Sequence, residues 1–512
     1  MNLVRSAATV GGTTLVSRVL GFVRDMMVAA AIGTGPIADA FFVAFRFPNM
    51  FRAIFAEGAF NSAFVPLFAK HLEGEGEESA RRFAEEAMSV LLAGLLVLTI
   101  LVEIGMPWLM WLFAPGFGDD PQKHAWAVQF TRVNFPYLLF ISLTALQTAV
   151  LNSLGRFFPG AAAPVMLNIT MVLALFLVVP FATNPGLALS WGVTAAGMVQ
   201  FVWLAISCHR VGMSLRLRMP RLTPDVRRLF VLAVPGVIAG GVGQVNLTVG
   251  TMIASLQAGA VSWLYYADRI YQLPLGVIGI AIGVVLLPDL SRRLRAGDHG
   301  GANWSLNRAV ETSMLLTLPA AMALTIIPYE ILKVLFERGQ FLDSDAHASA
   351  LALLIYAIGL PAFVLNKVFS PAFFARENTS TPLRFALVSV STNIATSLAL
   401  FPLFGFAGIA CGTTIASWVN VGQLGIRLWR ADHFQPDDKL KKRLPMILLA
   451  SAGMGLVLWG GAYGLRPYFS MSFHVSVSVL TGLIVLGLIA YALLCQITGA
   501  MRFQEFRHGI KK

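Results

Sequence analysis

Arg18-Val-Leu-Gly-Phe-Val-Arg24-Asp25, then an apolar run, then Asp39-Ala-Phe-Phe-Val-Ala-Phe-Arg46-Phe-Pro48-Asn49-Met-Phe-Arg52 and on to Glu57, is the stretch that organises this chain. Its surroundings are apolar enough for a bilayer interior, yet four arginines and three acids punctuate it. A charged side chain near the membrane centre costs at least about 2.5–3.5 kcal/mol. Such a cluster predicts side chains that face a water-filled cavity, with the rest of the chain built around it.

Composition sets the class. Of 512 residues, 57% are hydrophobic and 12% charged, against about 25% charged in a soluble domain. Apolar runs of roughly 20 residues recur throughout, each long enough for a hydrocarbon core of about 30 Å. The expectation is an all-α polytopic membrane protein with fourteen transmembrane helices. They are placed at about 12–33, 37–57, 87–113, 129–152, 161–182, 186–209, 229–255, 261–289, 312–334, 347–372, 383–403, 407–428, 444–465 and 473–498. The first apolar segment carries Arg18, Arg24 and Asp25, so it reads as a retained helix rather than a signal peptide.

The basic residues test that count. With the N-terminus inside, 27 of the 38 Lys and Arg fall in internal loops and tails. Only Lys123, Arg338 and Arg466 fall in external loops. The positive-inside rule demands such a split, and both termini are expected in the cytoplasm. The formal charge of +12 is then largely cytoplasmic arginine facing anionic membrane lipid, and no nucleic acid is expected as a partner. Residues 70–86, with a Glu-Gly-Glu-Gly-Glu-Glu run, read as a solvated connector. Residues 437–443 read as a linker to the last two helices.

Eight basic residues remain within spans: Arg18, Arg24, Arg46, Arg52, Arg132, Arg269, Lys333 and Lys367. Arg132, Lys333 and Lys367 read as snorkelling or structurally paired groups. Arg18, Arg24, Arg52 and Arg269 read as cavity groups. Arg18 and Asp25, seven apart, share a helical stripe, and Arg269 follows Asp268 well inside its span. The bland alternative makes Arg24–Asp25 and Asp268–Arg269 buried structural pairs.

An internal repeat supports two parallel lobes. Arg46, Pro66 and Pro136 correspond to Arg269, Pro288 and Pro361, at separations of 223, 222 and 225 residues. That offset spans about six helices, and paired repeats with a substrate site near the midplane are a recurring transporter plan. The expected organisation is an N-terminal lobe at 1–220, a C-terminal lobe at 221–435, each of six helices, and helices thirteen and fourteen with the tail at 436–512.

Motifs for bond-breaking chemistry are absent. No phosphate-binding loop ending in Lys-Ser/Thr occurs, and no Gly-x-Ser-x-Gly elbow. The three cysteines are scattered, the eight histidines have no ligand-like spacing, and no acids form an evident catalytic pair.

Ser17-Arg-Val-Leu-Gly-Phe-Val-Arg-Asp25, Ala38-Asp-Ala-Phe-Phe-Val-Ala-Phe-Arg-Phe-Pro-Asn49, Phe55-Ala-Glu-Gly-Ala-Phe-Asn-Ser-Ala-Phe-Val-Pro66 and Trp263-Leu-Tyr-Tyr-Ala-Asp-Arg269 resemble the MurJ (MviN) lipid II flippases of the multidrug/oligosaccharidyl-lipid/polysaccharide exporter superfamily. The resemblance covers essentially the whole chain. It implies a transporter rather than an enzyme, in the bacterial inner membrane, that moves the undecaprenyl-diphosphate disaccharide-pentapeptide precursor of peptidoglycan. It also implies a cationic cavity whose key arginines fall on Arg18, Arg24, Arg52 and Arg269, and contact with the cell-wall synthesis machinery.

Guanidinium forks suit a diphosphate, which they engage bidentately. Ser17, Asn49 and Ser262 are candidates for neutral hydrogen bonds. Asp25, Asp39, Glu57 and Asp268 are candidates for holding arginines or closing a gate. Some members of the family are thought to hold sodium through acids on helices seven and eleven. Here spans 229–255 and 383–428 contain no Asp or Glu, leaving Gln244, Asn246, Asn393 and Thr413 as neutral donors. No cofactor is expected, and the membrane potential is the expected driving force. A flippase for another polyprenyl-diphosphate-linked glycan, a multidrug-type antiporter and a non-transporting scaffold are the alternatives.

Overall fold

Long apolar runs have one way to satisfy their backbone in lipid without a partner strand, which is to wind into helices. The chain does so throughout. A computed structural model describes residues 3–54 and 60–501. In order its helices are α1 (Leu3–Ile32), α2 (Pro36–Ile54), α3 (Phe60–Gly74), α4 (Glu77–Phe113), α5 (Pro121–Asn134), α6 (Tyr137–Ser153), α7 (Phe158–Leu177), α8 (Pro185–Arg210), α9 (Pro224–Ser255), α10 (Ala260–Arg295), α11 (His299–Ile326), α12 (Pro328–Phe336), α13 (Asp343–Phe374), α14 (Ser380–Phe404), α15 (Phe406–Arg430), α16 (Asp438–Leu465) and α17 (Phe473–Thr498). The protein is an all-α polytopic membrane protein.

Over its described residues, each of the fourteen expected spans falls on one helix or on two in succession. Nine stretches among the described residues are long and apolar enough to cross a membrane. The other five spans fall on α1, α2, α9, α10 and α15. Arg18, Arg24 and Asp25 interrupt the apolar run of α1, and Asp39, Arg46 and Arg52 that of α2. Two spans are broken where the sequence explains it. Pro136 separates α5 from α6 and Pro328 opens α12, because proline lacks the N–H that continues a helix.

Two connectors differ from expectation. Residues 70–86 are mostly helical, in α3 and α4, with a turn at Glu75 and Gly76 only. The Glu side chains lie on solvated helix ends, where Ser79 and His71 meet Glu75. Residues 438–443 open α16, since the Asp437 carboxylate accepts from the Leu440 amide at 2.7 Å and caps the helix.

The chain divides into two compact units, Met1–Ser262 with Gly339–Phe341, and Trp263–Arg338 with Leu342–Lys512. In the first, α1 packs on α7, α2 on α5, and α6 on α8. The short helix α3 stacks Phe60, Phe64 and Phe68 at 5.5 and 5.6 Å and buries them against α4, α6 and α9. The segment 211–223 is strapped to α4. Glu85 accepts from the Arg216 amide at 3.1 Å and the Arg218 Nε at 2.5 Å, and Ser89 from the Arg218 amide at 2.9 Å. The unit also takes in the turn at 339–341, where the Gln340 amide donates to the Ala30 carbonyl at 2.9 Å. Gly33 (φ 60°) and Gly339 (φ 59°) face the Gln340 and Ala30 carbonyls, and a Cβ on either would collide with them.

In the second unit α13 packs against α11, α12 and α15, while α16 lies on α11 and α17. The α14–α15 crossing is tight. A Cβ on Gly408 would come within 2.6 Å of the Leu400 backbone, the approach that small residues permit. Glu311 accepts from Arg308 and, at 2.6 Å, from Arg443, tying the start of α16 to α11.

Candidate functional site

Arg24 and Asp25 are chain neighbours on α1, and adjacent helical side chains do not ordinarily face each other. Arginine is long enough to fold back. Its Nε and Nη2 donate to Asp25 Oδ1 at 3.0 and 2.7 Å. Its Nη1 donates to Oδ1 of Asn168 on α7 at 2.9 Å. Asn168 Nδ2 in turn donates to the Ser17 carbonyl at 2.8 Å and to Ser17 Oγ at 3.3 Å. Arg24, Asp25 and Asn168 are 9%, 4% and 4% exposed. The guanidinium is held by directed bonds on two sides, inside helices that are otherwise apolar.

Arg18 lies two turns before Asp25 on the same helix, half-buried, with no hydrogen bond or ion pair to any described residue. Arg52 Nε donates to Asn49 Oδ1 at 3.0 Å, and Asn49 Nδ2 donates to the Phe45 carbonyl at 2.8 Å, all on α2. Glu57 lies outside the described residues. Arg46 Nη1 donates to Thr251 Oγ1 on α9 at 2.7 Å. It lines a pocket with Met50, Phe113, Gln244 and Thr248.

Asp39 belongs to a different arrangement. It is fully buried and accepts from Lys123 Nζ (2.7 Å), the Gly259 amide (2.9 Å), the Ser262 amide (3.1 Å) and Ser262 Oγ (2.7 Å). The carboxylate caps the first turn of α10 from across the unit, where the helix dipole favours an anion. Ser262 therefore spends its hydroxyl on Asp39. Lys123, read from sequence as an external-loop residue, is 5% exposed.

In the second unit, Asp268 accepts from Gln272 one turn on, and the Arg269 guanidinium lies 4.5 Å from the centre of the Tyr265 ring. The structure thus gathers Ser17, Arg24 and Asp25 in one cluster, Asn49 with Arg52 in a second, and Asp39 with Ser262 in a third. Of the neutral donors, Gln244 and Asn246 stand on α9, and Asn393, 6% exposed, accepts from Ser397 Oγ at 3.2 Å on α14. Among the described residues no three His, Cys, Asp or Glu converge.

Sequence reasoning passed over Asn168 and Lys123. A single asparagine in an apolar helix carries no pattern, though an amide there needs a partner. The fold is that of an all-α polytopic membrane protein. It is similar to a multidrug resistance MATE family transporter in an inward-facing conformation (TM-score 0.69, 13% identity, 81% of this chain and 95% of that one).

The sequence matches the family described as Lipid II flippase MurJ over residues 28–480. A probable lipid II flippase MurJ of Rhizobium meliloti is 47% identical across 100% of this chain and 97% of its own length. A solved lipid II flippase MurJ in an inward closed conformation is similar at TM-score 0.80 and 25% identity, over 95% of this chain and 98% of that one. The chain belongs to the lipid II flippase MurJ family.

Proposed function

We propose that this protein is a lipid II flippase, carrying the undecaprenyl-diphosphate-linked disaccharide-pentapeptide from the inner to the outer leaflet of the bacterial cytoplasmic membrane. Family membership supports the activity and a transporter rather than an enzyme. The observation that carries the chemistry is the Arg24 cradle, a guanidinium held in place by Asp25 and Asn168 on apolar helices. Oriented forks suit diphosphate oxygens. Arg18, Arg24, Arg52 and Arg269 are the proposed diphosphate contacts, in a cationic cavity. Ser17, Asp25, Asn49, Glu57 and Asp268 support them, and Asp39 with Ser262 forms the gate element. Both termini are cytoplasmic in this reading, the lobes run 1–220 and 221–435 with 436–512 appended, and cell-wall synthesis enzymes are partners.

Coupling is to the membrane potential, worth about 2.3 kcal/mol per charge per 100 mV. The α9 and α14 donors are neutral, so no step is routed through sodium. The test is lipid II translocation in cells depleted of their own flippase, with potential and sodium gradient varied separately. Collapse of the potential by valinomycin and potassium should stop translocation, and sodium removal should not. The reverse result overturns the coupling, and no translocation under any condition overturns the flippase reading.

A further inference from the structure

We propose that the groove between α4 and α5 binds a membrane phospholipid whose head carries hydrogen-bond donors, in the leaflet that holds the 114–120 turn, with Arg132 on its phosphate. The groove, of about 420 Å³, is lined by Pro107 of α4 and by His124, Val128, Gln129 and Arg132 of α5. Positions 124, 128 and 132 follow at helical spacing, so they form one stripe running down from the turn. The neighbouring face of α4 is open and apolar, with Ile104 and Trp108 64% and 70% exposed. In a membrane that face meets lipid.

An arginine on such a surface is costly unless something meets it. Arg132 Nε donates to the Glu103 carbonyl at 3.2 Å and lies 3.8 Å from Glu103 Oε2. One edge of the guanidinium is therefore fixed. Its terminal nitrogens make no hydrogen bond with any described residue, and the side chain is 46% exposed. The Cα–Cβ bond of a helical residue tilts toward the helix N-terminus, which on α5 is the end at the 114–120 turn.

Two further polar atoms are buried and have no hydrogen-bond partner among the described residues: Nε2 of His124, which lines the groove, and Oε1 of Glu103, whose other carboxylate oxygen lies beside Arg132. Buried polar groups of this kind ordinarily have a partner. A phospholipid supplies all three needs. Its phosphate oxygens take the two free ends of the fork, and hydroxyl or ammonium donors in its head reach Glu103 Oε1. His124 Nε2 meets the phosphate or the head according to its tautomer. The quaternary ammonium of a choline head has no N–H or O–H to give, so the site selects against it.

The test is native mass spectrometry of the full-length protein with phosphatidylglycerol and phosphatidylcholine added in parallel. Diazirine-bearing phosphatidylglycerol, cross-linked in nanodiscs, maps the contact. The wild type should retain phosphatidylglycerol in preference to phosphatidylcholine and cross-link on α4 or α5. Arg132→Met should weaken retention about tenfold, equivalent to about 1.4 kcal/mol, and Arg132→Lys should recover part of it. Gln129→Leu, an exposed position that keeps the Arg132–Glu103 contact, should weaken retention without touching the fold. Equal retention of both lipids, unchanged retention in Arg132→Met, cross-links confined elsewhere, or displacement by millimolar inorganic phosphate would each overturn the proposal.

Discussion

Arg24 and Arg269 each neighbour an aspartate, one in either unit, and each has a contact that the other's surroundings do not repeat. Arg24 uses three nitrogens in directed bonds to Asp25 and Asn168. Arg269 rests over the Tyr265 ring, while Asp268 accepts from Gln272. The first environment needs a planar fork with fixed angles. In the second, a cation also stands over a π face, an attraction that lysine shares. A shared dipeptide composition therefore does not imply a shared local role.

The largest expected effect removes the charge from either place. Arg24→Ala and Arg269→Ala should each abolish complementation of a flippase-depleted strain while immunoblots show near-normal abundance. Growth with either variant would break the assignment of that arginine to the substrate.

Lysine separates the two. Arg24→Lys should fail, since one ammonium cannot span Asp25 and Asn168 together. Arg269→Lys should be weaker than wild type but measurably active in translocation. Equal loss at both positions would erase the distinction drawn here.

The supports come next. Asn168→Ala removes a hydrogen bond to a charged group, worth about 1.5–3 kcal/mol, and should slow translocation roughly tenfold. Tyr265→Leu removes an interaction of about 0.5–2 kcal/mol and should cost less. A larger defect from Tyr265→Leu than from Asn168→Ala would invert the comparison.

The smallest effect lies at the solvent end of the second unit, where charge is not buried. Tyr329 Oη and Lys333 Nζ donate to Asp343 Oδ1 at 2.5 and 3.1 Å. The Tyr329 bond, with Lys333, holds this carboxyl below the usual range although burial opposes it. Its folded pKa is depressed, so its contribution is full above the unfolded value of about 3.9. It disappears as pH falls through the lower folded value. Thermal scans should show Asp343→Asn less stable than wild type at pH 6 and the gap closing below pH 4. A gap that does not change with pH would remove Asp343 from this role.

The spans were legible because hydropathy is a property of each run by itself. Arg24, Arg18 and Asp39 were legible as exceptions to it. Partners were not. Asn168 lies 144 residues from Arg24, and Lys123 lies 84 from Asp39. Nothing local in the sequence encodes those separations. Lys123 passed as a loop residue because charge counts see only position along the chain, while its burial is created by Asp39. The breaks at Pro136 and Pro328 were visible as prolines, but an intact hydrophobic run on both sides concealed them.

The turn at 339–341 has a bearing on how the protein is made. It belongs to the first compact unit although seventy-six residues of the second, 263–338, precede it. A ribosome delivering this chain in order cannot finish the first unit after translating its last helix. The socket beside Ala30 and Gly33 stays unfilled until Gln340 has left the exit tunnel. Closure of the first unit therefore waits on residues 339–341 during biogenesis, and a chain truncated between residues 262 and 338 would leave the Ala30 carbonyl without the Gln340 amide.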